Sequence, residues 1–210
     1  MQRISGTCAA AALLLLAACG SSEHDTPSID VTELPAGTYA VSTGDAATPT
    51  AGKYYAAADG SRLLVLNDSA QQAAALYWRE GNGGWQSAAA ATQDVKVELL
   101  SSSAAPSNVL NATSVAGSYA VRLASGGVAA FAVNASGDIV AGSTTCKLSG
   151  KLATATLPNA LKLTLATTGC GNLPARADGY LVVDGDYSPA GFRLVASGGA
   201  TLVDLWAYPE

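Results

Sequence analysis

Leu161-Lys162-Leu163-Thr164-Leu165 alternates apolar and polar side chains at every position, and Asp94-Val95-Lys96-Val97-Glu98-Leu99 does the same. A strict period of two puts one set of side chains on a core and the other in water, which is the mark of a half-buried β-strand. Weaker versions of the signal recur over residues 37–41, 53–57, 62–66, 74–79, 84–87, 118–123, 128–133, 138–141, 145–148, 179–183, 192–196 and 201–207. Turn pairs separate them: Asp59-Gly60, Asn67-Asp68, Asn82-Gly83, Ser136-Gly137 and Asp184-Gly185. Strands at this spacing predict an all-β fold, an antiparallel β-barrel or sandwich. One stretch, 69–76, reads as a helix that runs straight into a strand pattern.

Ala36-Gly37-Thr38-Tyr39-Ala40-Val41 and Ala116-Gly117-Ser118-Tyr119-Ala120-Val121 agree at five of six positions, and each is followed by a second strand and a tight turn. This suggests two related β subdomains, residues 36–100 and 116–210. Residues 101–115, SSSAAPSNVLNATSV, have the Ser, Ala, Asn and Pro content of a linker or long loop. Ser101 through Ser107 also resemble the Ser/Ala/Pro-rich tracts that some bacteria O-glycosylate on exported proteins.

The 210 residues are about one-fifth alanine, only 13% are charged, and the net charge is −5. An acidic chain without a basic stripe is not a phosphate-reading nucleic-acid binder. An apolar share of 49% argues against wholesale disorder, although alanine buries little area.

Residues 1–7 carry one charge, on Arg3, and residues 9–18 form a continuous apolar run that includes Leu13-Leu14-Leu15-Leu16. Ten residues are about half of what crosses a bilayer as a helix. A cationic start, a short apolar centre and a small-residue end make a secretory signal over residues 1–18. The run closes on Leu16-Ala17-Ala18-Cys19, which resembles the bacterial lipobox at all four positions. The resemblance covers about the first twenty residues and implies a bacterial lipoprotein. It would be cleaved before Cys19 and carry diacylglycerol on the Cys19 thiol and an acyl chain on the new amino terminus. Two or more chains anchor a protein stably in a membrane. Gly20 stands where retention in the inner membrane usually calls for Asp, so the implied location is the outer membrane. Loss of the signal would leave 10 basic against 16 acidic side chains, a net of −6.

Residues 20–34, GSSEHDTPSIDVTEL, are polar and acidic without helical period, so residues 19–35 are expected to act as a flexible, lipidated tether. With Cys8 lost with the signal and Cys19 lipidated, Cys146 and Cys170 remain, and the oxidising compartment of an exported chain favours a disulfide between them. Zinc takes about four ligands, and the sole His, His24, lies in the tether; no metal or other cofactor is expected.

The folded part offers no Ser-His-Asp or Cys-His arrangement, no nucleophile elbow and no phosphate loop. Asp184-Gly185-Asp186-Tyr187-Ser188 starts like a calcium loop, but Pro189 and Val195 stand where it needs Gly and Glu, so it reads as a turn. Tyr39, Tyr119, Tyr180, Phe131 and Phe192 read as core, and Trp206 and Tyr208 as closing it. Tyr77-Trp78-Arg79-Glu80-Gly81-Asn82-Gly83-Gly84-Trp85 sets two Trp beside a glycine-rich tip. A two-residue loop at Asn82-Gly83 would place Trp78, Glu80 and Trp85 on one face of a hairpin. Trp78, Arg79, Glu80 and Trp85 are thus the candidate contact site, against the plainer reading of that face as core. The functional expectation is a non-enzymatic envelope lipoprotein held by its lipid and binding an unknown envelope protein or ligand. A structural or assembly accessory of the outer membrane is the alternative, with an enzyme or enzyme inhibitor behind it. An empty, lined barrel would favour a ligand, and a filled one with one exposed apolar patch a protein partner.

Overall fold

The computed structural model describes residues 26–210; Cys8, Cys19, His24 and the signal segment lie outside the described residues. The chain is all-β. Its strands are β1 (Ile29–Val31), β2 (Gly37–Asp45), β3 (Thr48–Ala56), β4 (Arg62–Asn67), β5 (Ala73–Arg79), β6 (Gln86–Ser87), β7 (Val95–Val97) and β8 (Leu99–Ala105), then β9 (Gly117–Arg122), β10 (Val128–Val133), β11 (Asp138–Ala141), β12 (Lys147–Thr154), β13 (Ala160–Thr168), β14 (Arg176–Val182), β15 (Phe192–Gly198) and β16 (Thr201–Pro209).

Strands β9 to β16 form an antiparallel barrel of eight strands in sequence order, closed where Ala207 of β16 pairs with Val121 of β9. The alternation read at Leu161–Leu165 is realised there: Leu161, Leu163 and Leu165 point inward, and Lys162 and Thr164 outward. Phe131, Leu148, Leu181, Phe192, Leu194 and Leu205 complete an interior filled by side chains. Tyr119, Phe131 and Phe192 form its aromatic centre, with Tyr119 and Phe192 4.5 Å apart between ring centroids. Cys146 and Cys170 are disulfide-bonded and belong to the same core.

The first half starts in the same way. Tyr39 donates its hydroxyl to the Pro35 carbonyl at 3.1 Å, and Tyr119 donates to Val115 at 3.0 Å, four residues back in each case. Each ring lies over the glycine two residues before it, Gly37 or Gly117, where a Cβ would crowd the ring. In both halves the last strand returns to pair with the first, here β8 with β2. This sheet, ordered β6-β5-β4-β3-β2-β8, does not close.

An open sheet has two faces to cover. Tyr54, Leu64 and Leu66 face a small core roofed by the parallel pair β1 and β7, through Ile29, Val31, Val95 and Val97. Tyr55, Leu63, Val65 and Leu76 face the outer wall of the barrel, where Tyr180, Val182, Tyr187 and Val195 meet them. Leu63 through Leu66 are therefore apolar without alternation, as in any strand buried on both faces.

Four expectations are corrected. Residues 69–76 are not helical: Asp68 accepts from the amides of Ala70 and Gln72 through Oδ1, closing a turn, and β5 then pairs with β4. Within the 19–35 tether, Ile29–Val31 is a strand, because Ile29 and Val31 supply the apolar face that roofs the sheet. Within the 101–115 linker, Ser101–Ala105 belong to β8, where backbone pairing to β2 outweighs the linker-like side chains; the connection proper begins at Pro106. Tyr208 is 40% exposed and Trp206 packs on the outer wall, since inward positions of β16 fall at Val203, Leu205 and Ala207.

Candidate functional site: a polar groove between the lobes

The seam between sheet and barrel is mostly apolar, and two ionic clusters are built into it. Arg193 is fully buried and makes a bidentate pair with Asp204, Nε to Oδ1 at 2.6 Å and Nη2 to Oδ2 at 2.7 Å. Its Nη1 donates to Asn67 of the sheet at 2.9 Å, and the Ala73 amide donates to Asp204 at 2.7 Å. Trp206 lies under the guanidinium, 4.7 Å from ring centroid to Cζ. Burial alone would lower the Arg193 pKa; the Asp204 carboxylate outweighs it, and the pKa stands above the usual value. In the second cluster, Lys53 of β3 reaches Asp184 at 3.0 Å and Asp186 at 2.6 Å. Both carboxylates of the incomplete calcium-like loop thus face the Lys53 ammonium. Here too burial pushes the Lys53 pKa down, and Asp186 and Asp184 together more than reverse it. Both clusters bind the lobes together.

At one end of the seam the lobes part into a groove of about 300 Å³. Its sheet side comes from two interlocked turns. Ser61 donates its amide to Asp59 at 2.8 Å, and Gly81 donates its amide to Ser61 Oγ at 2.9 Å. Gly60 has a φ of +94°, and a Cβ there would strike the Asn82 side chain and the Gly81 carbonyl, so only glycine fits. The barrel side is Thr154, Thr156, Leu157 and Lys162. Lys162 Nζ crosses the groove to Glu80 Oε1 at 2.6 Å. Tyr180 lines its base, only 6% exposed, and burial first, then the Glu80 charge, pushes its pKa up to about 12. The Ser61 amide, followed by the Thr156 hydroxyl, holds the Asp59 carboxyl below its usual range. Two carboxylates, one ammonium and several hydroxyls line this trough, a set that can recognise a polar surface by hydrogen bonds. It holds no imidazole, and among the described residues no three His, Cys, Asp or Glu side chains group as metal ligands.

The four-residue contact site is divided by the structure. Trp78 pairs with Gln86, so the loop has an odd number of residues and not two. Trp78 packs in the seam, while Trp85 sits on the opposite face, edge-on to Tyr54 at 6.3 Å. The cause is tertiary: Gly81 adopts a φ of +53°, the Gly83 amide donates to the Glu80 carbonyl, and the tip is held against Ser61 and Gly60. Arg79 stands over Trp85 at 5.5 Å and shares Glu33 with Arg62. Glu80 alone of the four reaches the groove. Asp59, Ser61, Thr156, Lys162 and Tyr180 were not expected there. Their only sequence signal is the pair of turns Asp59-Gly60 and Asn82-Gly83, which says nothing of their meeting.

Compared with protein-family models, curated proteins and solved structures, the chain matches none.

Proposed function

We propose that the chain is a lipoprotein of the bacterial outer membrane whose non-catalytic β domain binds an envelope protein or a small polar ligand in the groove between its lobes. The observation that carries the location is Leu16-Ala17-Ala18-Cys19 at the end of a short apolar run. The binding half is supported by the charged lining of the groove, Asp59, Glu80 and Lys162, at a junction of lobes where ligand sites are common; a second concavity of about 410 Å³ at the barrel mouth, beside Cys146 and Cys170, has no charged side chain in its lining. Nine residues separate Cys19 from β1, about 30 Å at full stretch, so a lipid on Cys19 would hold the domain near the membrane.

The test is cross-linking of the full-length chain in its own envelope, followed by recovery and mass spectrometry. Cys19→Ser should release the chain from membranes or leave it unprocessed; unchanged processing and retention would refute the anchor. Glu80→Gln with Lys162→Ala should leave the melting temperature near that of the parent and remove a specific partner or bound ligand. The same recovered set from both proteins would refute the groove as the contact site. A second reading, as a structural accessory of the outer membrane, is favoured by Val128 and Val140, which are 50% and 54% exposed on β10 and β11 outside the seam.

A further inference from the structure

A closed barrel has no strand edges; the six-stranded sheet has two, and they differ. The β6 edge is two residues long, too short to template another strand. The β8 edge is seven residues long, and Leu100, Ser101, Ser102, Ser103 and Ala104 are all exposed. On its inner side β8 pairs with β2 in a regular register from Ser42↔Ser101 to Thr38↔Ala105; its one bulge lies before this, at Leu100. On its outer side, among the described residues, the one hydrogen bond is from the Leu99 amide to Thr32 Oγ1. Every second residue of an antiparallel edge strand turns its N–H and C=O outward. Folded proteins usually blunt such an edge with lysine, proline or a bulge along its length. Between Ser101 and Ala105 there is no charge, no proline and no bulge. Leu100, at its start, is 48% exposed.

We propose that this edge pairs, antiparallel, with the β8 edge of a second copy of the chain, about a two-fold axis through Ser103. The segment is self-complementary in that arrangement. Ser101 stands against Ala105, Ser102 against Ala104, and Ser103 against its own counterpart. Every pair is small on small, and no like charges oppose. Pro106, which has no amide hydrogen to donate, ends the paired segment. A two-fold contact consumes the edge of both copies, so pairing stops at a dimer and does not grow into a fibre. The sheet then runs unbroken through both molecules, with the two barrels outside it. This goes beyond the groove and the anchor and does not depend on either.

Residues paired across an antiparallel ladder have Cα atoms about 4.5–5.5 Å apart, within disulfide range. The test uses the full-length chain in detergent, oxidised mildly as Ser103→Cys and, as a control, as Ser125→Cys in the exposed turn between β9 and β10. Ser103→Cys should convert most of the chain to a reducible homodimer, and Ser125→Cys almost none. Ser103→Lys, which sets two ammonium groups face to face at the axis, should shift sedimentation equilibrium to monomer while circular dichroism stays that of the parent. A parent chain that is monomeric at every concentration, equal cross-linking of the two cysteine variants, or Ser103→Cys captured by a different protein would each overturn the proposal.

Discussion

The barrel and the six-stranded sheet begin with the same Gly-x-Tyr turn and both lead their last strand back to their first, yet one closes and the other does not. Closure lets the barrel satisfy every ladder and fill its interior from its own strands. The sheet has no interior. It borrows a roof from β1 and β7 on one face and the barrel wall on the other, and it keeps a long free edge. The difference shows in the strands. Those of the barrel that meet water alternate, as in Leu161–Leu165. Those that meet a second layer carry apolar residues on both faces, as in Leu63–Leu66 and in Tyr180–Val182. Closure removes edges and supplies the cover for one face, and an open sheet must find both covers elsewhere.

That asymmetry should be widest at alkaline pH. Tyr54, in the core under the roof, is pushed up to about 12 by burial, with the Glu33 charge adding to it. Tyr180 in the seam is also raised to about 12, and Tyr55, fully buried there, stands well above its usual value by burial, with Tyr187 next in effect. The unfolded chain releases these protons near pH 10 and the folded chain later. Their stabilisation is therefore complete below about pH 10 and falls as pH rises toward the folded values, by on the order of 3 kcal/mol for each two-unit shift. Tyrosinate absorbance should rise together with loss of the sheet, and proteolysis at intermediate pH should cut the first half before the barrel. Titration of Tyr54, Tyr55 and Tyr180 themselves at pH 10 in a still-folded protein, followed residue by residue by NMR, would break the comparison.

Removing Arg193 strands Asp204 in the seam, and loss of one partner of a buried pair costs about 3–5 kcal/mol. Arg193→Leu should thus destabilise the whole molecule in urea, whereas Arg193→Leu with Asp204→Leu should recover much of the loss. If the single variant melts like the parent, the lobes are not joined through this pair.

The disulfide acts on the barrel alone. It closes a loop of about 25 residues, and the chain-entropy picture assigns that about 3 kcal/mol. Cys146→Ser with Cys170→Ser should lower barrel stability by that amount, and peptide mapping of the parent without reductant should show the two joined.

The smallest of these effects separates the two faces of the sheet. Trp78→Ala and Trp85→Ala each remove a half-buried ring from a different core, at about 2 kcal/mol, below the 3–5 of a fully buried aromatic. The double variant should lose the sum, since the rings share no packing. A large coupling between them would restore the one-face hairpin.

The strands were legible because local alternation is a property of a few consecutive residues. Nearly every strand candidate lies on an observed strand, the all-β class follows, and Cys146 and Cys170 are joined as expected. The errors fall where a distant contact outweighs a local preference. Residues 69–76 have the alanine and glutamine of a helix, but the turn closed by Asp68 takes 69–72 and pairing with β4 takes 73–76. Ser101–Ala105 have linker composition, but β2 offers them a ladder. A hairpin loop that reads as two residues leaves seven, 79–85, between the last pair Trp78↔Gln86, because its tip docks on Ser61 and Gly60, and the odd count sends Trp85 to the other face. The groove was not legible at all: Asp59, Glu80, Thr156 and Lys162 come from four separate turns and strands. Arg193 left a faint trace, a lone cation among apolar neighbours in Phe192-Arg193-Leu194-Val195, with a lone acid in Val203-Asp204-Leu205.

Composition, period and spacing thus decided the class of fold, the strand positions and the cysteine pair, and they motivate the reading of Cys19 as an anchor. Closure of one sheet and not the other, burial of the second face of each, and the meeting of Glu80 with Lys162 were decided in three dimensions. The physical reason is range: a strand is encoded by its alternating neighbours, whereas a seam depends on which surfaces remain uncovered once every strand has formed.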